Sequence, residues 1–385
     1  MKQCLINDFK KLYNEKTHLL YFSPGRVNLI GEHIDYNGGF VMPAAISYGT
    51  YGAVSLREDN NVYVYSKGFS KEVVSFSLNK LSEKDLDNSW INYIKGVFYL
   101  MKDAGYKINK GINLLITSTM PTSAGLSSSS SLELLIIYIL NDLFNLKLSK
   151  VEMAKLGKKV ENDYIGVNSG IMDQFAIANS KKDYAMILNT ETLDFEYVPI
   201  ELKDEQLIIV NTNKKRGLTD SKYNERFNEC RKALSLLQNK YNIKNLASLS
   251  VNDLEDIKKY LNNETLYKRV KHVITEQNRT ILSGKALKAN DLETFGKLMN
   301  ESHISLRDDY DVTGIELDTL FLESIKQNVI GARMTGAGFG GCLIALVKND
   351  KVNDYISNVK KAYLSKIGYE PSFYKVEPSS GTSKY

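Results

Sequence analysis

The chain has 385 residues, 43% hydrophobic and 25% charged, proportions that suit a soluble globular enzyme and a length that predicts two packed domains. Its 50 basic residues exceed 45 acidic ones by only five and are spread along the chain. The basic runs are short, Lys158-Lys159 and Lys214-Lys215-Arg216, and lack the interleaved aromatics of a nucleic-acid groove, so no nucleic acid is expected as a partner.

In chain order, a short helix is predicted over Asp8 to Tyr13. Short strands follow around Leu20 to Phe22, Gly39 to Met42, Tyr51 to Leu56 and Val62 to Ser66, the last with clear in–out alternation. Trp90 to Ala104 reads as a helix and Gly111 to Thr117 as an apolar strand. A loop, Met120 to Gly125, then leads into an apolar helix running to about Phe144. Its Leu132, Leu135, Ile136, Ile139, Leu140 and Leu143 predict burial on more than one face. Another helix is predicted over Val151 to Asp163, before a Gly/Asn loop at 166–170. Near residue 200 the character changes. A strand at Leu207 to Asn211 opens a more helical half, with helices expected near 219–239 and 265–299, and the glycine-rich stretch Ile330 to Cys342 runs into a strand over Leu343 to Val347.

Cys4, Cys230 and Cys342 are too few and too scattered for a disulfide framework or a metal-ligand set, and are read as free thiols of a reducing, cytoplasmic compartment. The N-terminus has no apolar stretch of signal-peptide length. The helix from Leu132 to Phe144 is too short and too polar to span a bilayer, so no membrane is expected.

Three segments carry chemistry. The loop Pro121 to Ser131 follows a strand and opens a helix, leaving unpaired N–H groups beside the positive end of the helix dipole. Gly125 and small serines let an anion approach, so phosphate binding is the natural reading, although the P-loop pattern is absent. Glu161 and Asp173 bracket the Gly/Asn loop: one suits a Mg²⁺ ion beside a serine hydroxyl, the other a substrate hydroxyl. The third segment, Ser23 to Gly39, sets Glu32, His33 and Asp35 in a glycine-flanked turn suited to a polyhydroxylated ligand. Its Arg26 is suited to a transferring phosphoryl group. Gly331 to Gly341 precedes a strand rather than a helix, which argues for close backbone approach and against a dinucleotide fingerprint.

Together these segments resemble the galactokinase branch of the GHMP small-molecule kinase superfamily, over nearly the whole chain. Pro24-Gly-Arg-Val-Asn-Leu-Ile-Gly-Glu-His-Ile-Asp-Tyr-Asn-Gly-Gly39 is similar to that branch's signature. Gly125-Leu-Ser-Ser-Ser-Ser-Ser-Leu-Glu133 resembles the ATP-binding motif, and Gly331-Ala-Arg-Met-Thr-Gly-Ala-Gly-Phe-Gly-Gly-Cys342 the third motif. Ser221 to Cys230 resembles a further stretch typical of the branch. The resemblance implies an α+β fold of two domains. Residues 1–200 would be of the ribosomal-protein-S5-like α/β type and 201–385 of the ferredoxin-like α+β type, with the active site in the cleft between them.

It also implies transfer of the γ-phosphate of ATP to the anomeric hydroxyl of galactose, with Mg²⁺ as cofactor, in a monomeric enzyme. Asp173 takes the place of the catalytic aspartate and Arg26 that of the transition-state arginine. Glu32, His33, Ile34, Asp35 and Tyr223 match sugar contacts; Ser123, Ala124, Gly125, Leu126, Ser127, Ser128 and Ser129 match the phosphate loop. Ser129 and Glu161 match the metal ligands, and Ser66 a nucleotide contact. Ile34 departs from a usual Thr, and Phe227 from the second Arg of a pair. The alternatives are a kinase of N-acetylgalactosamine or of another small molecule, such as mevalonate or homoserine, and a non-catalytic sugar sensor.

Overall fold

A computed structural model describes residues 1–121, 125–167, 169–214 and 219–385, the side chains of 219–221 excepted. The first half runs α1 (Lys2–Tyr13), β1 (Leu19–Asn28), β2 (Phe40–Val41), β3 (Pro43–Leu56), β4 (Asn61–Ser66) and β5 (Val74–Ser77). It continues through α2 (Ile91–Asp103), β6 (Ile112–Ser118), α3 (Ser128–Leu143), α4 (Lys150–Lys159), α5 (Met172–Asn179), β7 (Tyr184–Asn189) and β8 (Phe195–Pro199). The second half opens with β9 (Glu205–Asn211), α6 (Thr219–Leu237), α7 (Leu254–Leu261), α8 (Glu264–Lys288), α9 (Leu292–Asp308) and α10 (Gly314–Lys326). It closes with β10 (Gly331–Thr335), β11 (Cys342–Lys348), α11 (Val352–Ile367), β12 (Ser372–Val376) and β13 (Ser383–Lys384).

Among the described residues the strands form three sheets. The first has the order β13-β1-β3-β6-β4-β5, antiparallel except where β4 runs parallel to β6. The second, β10-β11-β9-β12, is antiparallel throughout. Numbered within the second half its order is 4-1-3-2, the split βαβ arrangement expected of a ferredoxin-like domain. A short third sheet, β2-β7-β8, lies beside the first.

The apolar helix predicted after the serines is α3, with Leu134 to Ile137, Ile139 and Leu140 all fully buried in the main core. A second core joins the two halves. Val27, Ile30, Met42 and Ile46 from the first half pack with Ile209, Met299, Ile344 and Val376 from the second. The chain's end also crosses back: β13 pairs with β1, and Thr382 N–H donates to the carbonyl of Ile177 at 2.8 Å.

Two helix readings are corrected. The single helix expected over 265–299 is two, because Asn290 turns left-handed (φ 53°) and Asp291 caps a new start by accepting from Thr294 N–H. The helix expected over Val151 to Asp163 keeps ordinary spacing only to Lys159. Beyond it the backbone widens, and Gly166 N–H donates to the carbonyl of Glu161, five residues back, at 2.8 Å. That wide turn aims Glu161 at the serines. The strand expected after the glycine stretch gains a partner, β10, since Gly331 to Thr335 is buried and pairs with β11.

Candidate active site

A pocket of about 660 Å³ lies where β1, the turn after it, the start of α3, the start of α5, α6 and the glycine stretch meet. Arg26, at the buried end of β1, reaches Asp173 in the first turn of α5 with two bonds of 2.7 Å, Nε to Oδ1 and Nη2 to Oδ2. Its remaining nitrogen, Nη1, donates to the carbonyl of Gly125 at 2.8 Å. Ser127 donates its hydroxyl to Asp173 Oδ2 at 2.5 Å. Ser127 caps α3 in position but not through its side chain, and sits in the left-handed region (φ 61°). Such strain in a non-glycine residue persists only where its surroundings over-determine it. Among the described residues no side chain at the N-cap satisfies the first-turn amides of α3, and Ser127, Ser128 and Ser129 at that helix start line the pocket.

Glu161, 8% exposed, accepts from Ser129 Oγ at 3.0 Å and Ser130 Oγ at 3.2 Å. A carboxylate and two hydroxyls are hard oxygen donors, which suit Mg²⁺. Among the described residues no cluster of three or more Asp, Glu, His or Cys could hold a metal, so phosphate and water oxygens would have to complete such a shell.

The turn from Gly31 to Gly39 is held from the second half. Glu276 on α8 accepts from the N–H groups of Gly31 and Glu32 at 2.9 and 3.2 Å, and His272 Nε2 donates to the carbonyl of Glu32 at 3.0 Å. Arg333 on β10, fully buried, donates to Glu32 Oε2 at 3.0 Å and to the carbonyl of Asn28 at 2.8 Å. Burial alone would raise the pKa of Glu276. The charges of Arg279, His272 and Arg333 and the Ser302 hydroxyl outweigh it and bring it to about 2. His33 adopts a left-handed backbone (φ 61°), with its ring between Tyr36 and the carbonyl of Ala337.

Four acids, Glu32, Asp35, Glu161 and Asp173, line a pocket with one lining arginine, Arg26, and Arg333 just behind Glu32. Arg26 is taken by Asp173 and Arg333 by Glu32, so among the described residues Asp35 has no ion pair. Burial, then the charges of Asp173 and Glu32, push its pKa up to about 7. The space for that carboxyl comes from Gly170, where a Cβ would fall 1.9 Å from Asp35 Oδ2.

Of the residues expected from sequence, Arg26, Glu32, His33, Asp35, Gly125, Leu126, Ser127, Ser128, Ser129, Glu161, Asp173 and Tyr223 all line the pocket. Ser123 and Ala124 lie outside the described residues. Ile34 is fully buried and packs against Gly39, so its side chain serves the core and not the pocket. Ser66 is not among the lining residues; its N–H donates to Ser70 Oγ at 3.1 Å. Sequence reasoning missed Arg333, Glu276, His272, Gly170 and Tyr93. Only Arg333 had a signal, as a lone charge inside the glycine stretch.

Comparison with known proteins agrees along the chain. Residues 7–56 match a model described as the galactokinase galactose-binding signature, 92–181 the GHMP kinase N-terminal domain and 285–364 the GHMP kinase C-terminal domain. A galactokinase of Clostridium perfringens (strain SM101) is 53% identical over 386 residues, covering 100% of this chain and 98% of the relative. A galactokinase of Lactococcus lactis subsp. lactis is 50% identical over 383 residues, covering 99% and 96%. The crystal structure of Lactococcus lactis galactokinase complexed with galactose superposes with a TM-score of 0.96 at 49% identity, over 100% of this chain and 99% of that one. A mevalonate kinase structure, at 23% identity and TM-score 0.65, shares the fold.

The raised Asp35 pKa has a consequence for stability. Unfolded, the group titrates at its ordinary 3.8. The stabilisation from its protonated form is therefore complete below that value and is lost as pH rises through about 7. Asp35→Asn, neutral at every pH, should raise the urea midpoint above the parent's at about pH 8, with the gap narrowing by about pH 5. Equal gaps at both would mean that the carboxyl is not held this way.

Proposed function

The chain belongs to the galactokinase family of ATP-dependent sugar kinases, and on that premise we propose how its pocket carries out transfer of the γ-phosphate of ATP to the anomeric hydroxyl of galactose. The observation that carries the assignment of roles is the bidentate Arg26–Asp173 pair, which sits between the serine-rich helix start and the glycine-flanked turn. The two ends of the pocket suit the two substrates: unpaired amides and hydroxyls for phosphate, carboxylates and a tyrosine for hydroxyls. Residues up to about 200 supply most of the wall, and the domain beginning near 201 adds Tyr223, Asn224, Gly336 and Ala337.

Phosphoryl transfer asks for positioning and charge neutralisation more than for covalent chemistry. Asp173 has about four lone-pair sites; Arg26 takes two and Ser127 a third, which leaves one to accept the anomeric hydroxyl and fix its line of approach. Arg26, held charged by Asp173 against the effect of burial, faces the charge that develops on the transferring group. Glu32 and Asp35, with Tyr223, hold the other hydroxyls of the sugar. The amides of Ser128 and Ser129 receive the phosphates of ATP. Ser129 and Glu161 would hold Mg²⁺, which neutralises phosphate charge when bound.

Turnover of a small panel of hexoses in a coupled ATP assay, with the phosphorylated position identified, tests the function. Galactose 1-phosphate is the expected product; turnover of mevalonate or homoserine and no hexose would overturn it. Asp173→Ala and the isosteric Asp173→Asn should each lose at least ~10²-fold in kcat while still binding ATP in a calorimetric titration. Parent-like turnover in either removes Asp173 from its role. For Glu161→Gln the expected change is a higher Mg²⁺ concentration at half-maximal rate; an unchanged Mg²⁺ titration counts against it as a ligand.

A further inference from the structure

Behind the His33 ring runs a line of polar groups that the transfer reaction does not use directly. Tyr36 Oη lies 2.9 Å from His33 Nδ1 and 2.8 Å from Tyr310 Oη, and Tyr310 Oη lies 3.0 Å from Cys230 Sγ. On the other side of the ring, His33 Nε2 faces the carbonyl oxygen of Ala337 at 3.2 Å. His33, Tyr310 and Cys230 are buried, Tyr36 is half-buried, and Ala337 lies at the exposed end of the line.

The direction of every proton in this line can be worked out. A carbonyl only accepts, so His33 Nε2 carries a hydrogen. The ring is neutral, because burial brings its pKa down to about 3, and Nδ1 is therefore a bare acceptor that takes the Tyr36 proton. A phenol has one proton to give. Tyr36 has given its own, so it accepts from Tyr310, and Tyr310 in turn accepts from the Cys230 thiol. Burial pushes that thiol up to about 11, so it has a proton to donate. The chain runs one way only, from Cys230 through Tyr310 and Tyr36 to His33 and on to Ala337.

We propose that Tyr36, Tyr310 and Cys230 are positioning residues for the sugar, holding His33 as its Nε2–H tautomer and locking the ring as a wall of the pocket. The other tautomer would set the Nε2 lone pair against the Ala337 carbonyl, and a flipped ring would set a carbon there; either would leave Tyr36 without an acceptor. The chain also governs Tyr223. That ring packs 5.6 Å from His33 and 5.7 Å from Tyr36, and it rides on α6, the helix that carries Cys230. Four parts of the fold thus meet at one tautomer: the sugar-side turn, α6, the segment after α9 and the glycine stretch. The proposal rests on reading this pocket as the galactose site.

Nitrogen-15 NMR of the histidine-labelled full chain, with His33 assigned by its loss in His33→Gln, reads the tautomer without any substrate. A protonated Nε2 and bare Nδ1 are expected; a protonated Nδ1 overturns the proposal. Tyr310→Phe keeps the ring and removes the central hydroxyl. It should raise the galactose KM about fivefold, the effect of one buried hydrogen bond, with the ATP KM unchanged. It should also bring up a second His33 tautomer. An unchanged galactose KM in the folded variant overturns the proposal. Should Tyr310→Phe not fold, Cys230→Ser and Cys230→Val make the same comparison. Serine keeps the donor and the parent KM, valine does not, and equal KM values overturn it. Because the NMR signal needs no sugar, failure of the chain is separable from failure of the galactose reading, which the hexose panel decides.

Discussion

A guanidinium keeps its charge even with only 6% of its side chain exposed, so it needs a carboxylate that meets it squarely, and Asp173 does so for Arg26 through two parallel bonds. Removing one partner of such a buried pair leaves an uncompensated charge, at a cost of about 3–5 kcal/mol. Much of the pocket follows from that constraint. It fixes the end of β1 against the first turn of α5. Through Gly125 and Ser127 it also fixes where α3 begins, and with α3 the direction in which its uncapped amides point. The phosphate end and the sugar end of the pocket are thereby built around one ion pair.

The remaining charges are arranged by the second half of the chain. Arg333 neutralises Glu32, Glu276 accepts from the turn's backbone, and His272 donates to it, so the turn is held from behind by α8 and β10. The carboxylates of Glu32 and Glu276 and the ring of His272 each meet a partner from a distant element, which limits the cost of burying such a network. The apolar core shared by β1, β3, β9, β11 and α9 keeps those elements at the separation the network needs. Burial and the neighbouring acids push the Asp35 pKa up to about 7, so this carboxyl responds to pH near neutrality.

Much of this was legible locally. The in–out alternation of Val62 to Ser66 became β4, and the apolar run from Leu132 became α3. The glycines around Glu32 to Asp35 marked a turn, and the serines after Gly125 marked a helix start, because small residues and breakers act within a few positions of themselves. Other features had no local trace. The break at Asn290 falls in a stretch whose composition suits one long helix. Ile34 sits among pocket residues in sequence, yet packs against Gly39 in the core, since neighbours in a tight turn face different ways. Gly170 looked like a loop glycine and proved to be the space for Asp35.

By itself the sequence determined which chemical groups are available and which small segments present them: an anion-binding helix start, a polar turn, and carboxylates flanking a loop. These depend on residue type and on spacings of a few positions. The tertiary structure decided which charge meets which. Arg26 and Asp173 are 147 positions apart, Arg333 and Glu32 301 apart, and Tyr310 and Tyr36 274 apart. No periodicity links such pairs, because they are brought together only when two sheets and a shared core have closed around them. Hence the turn from Gly31 to Asp35 could be read as a place for a hydroxylated ligand. That its Glu32 meets Arg333, its Asp35 is pushed up by neighbouring acids and its His33 ring lies between Tyr36 and the Ala337 carbonyl became visible only in the fold.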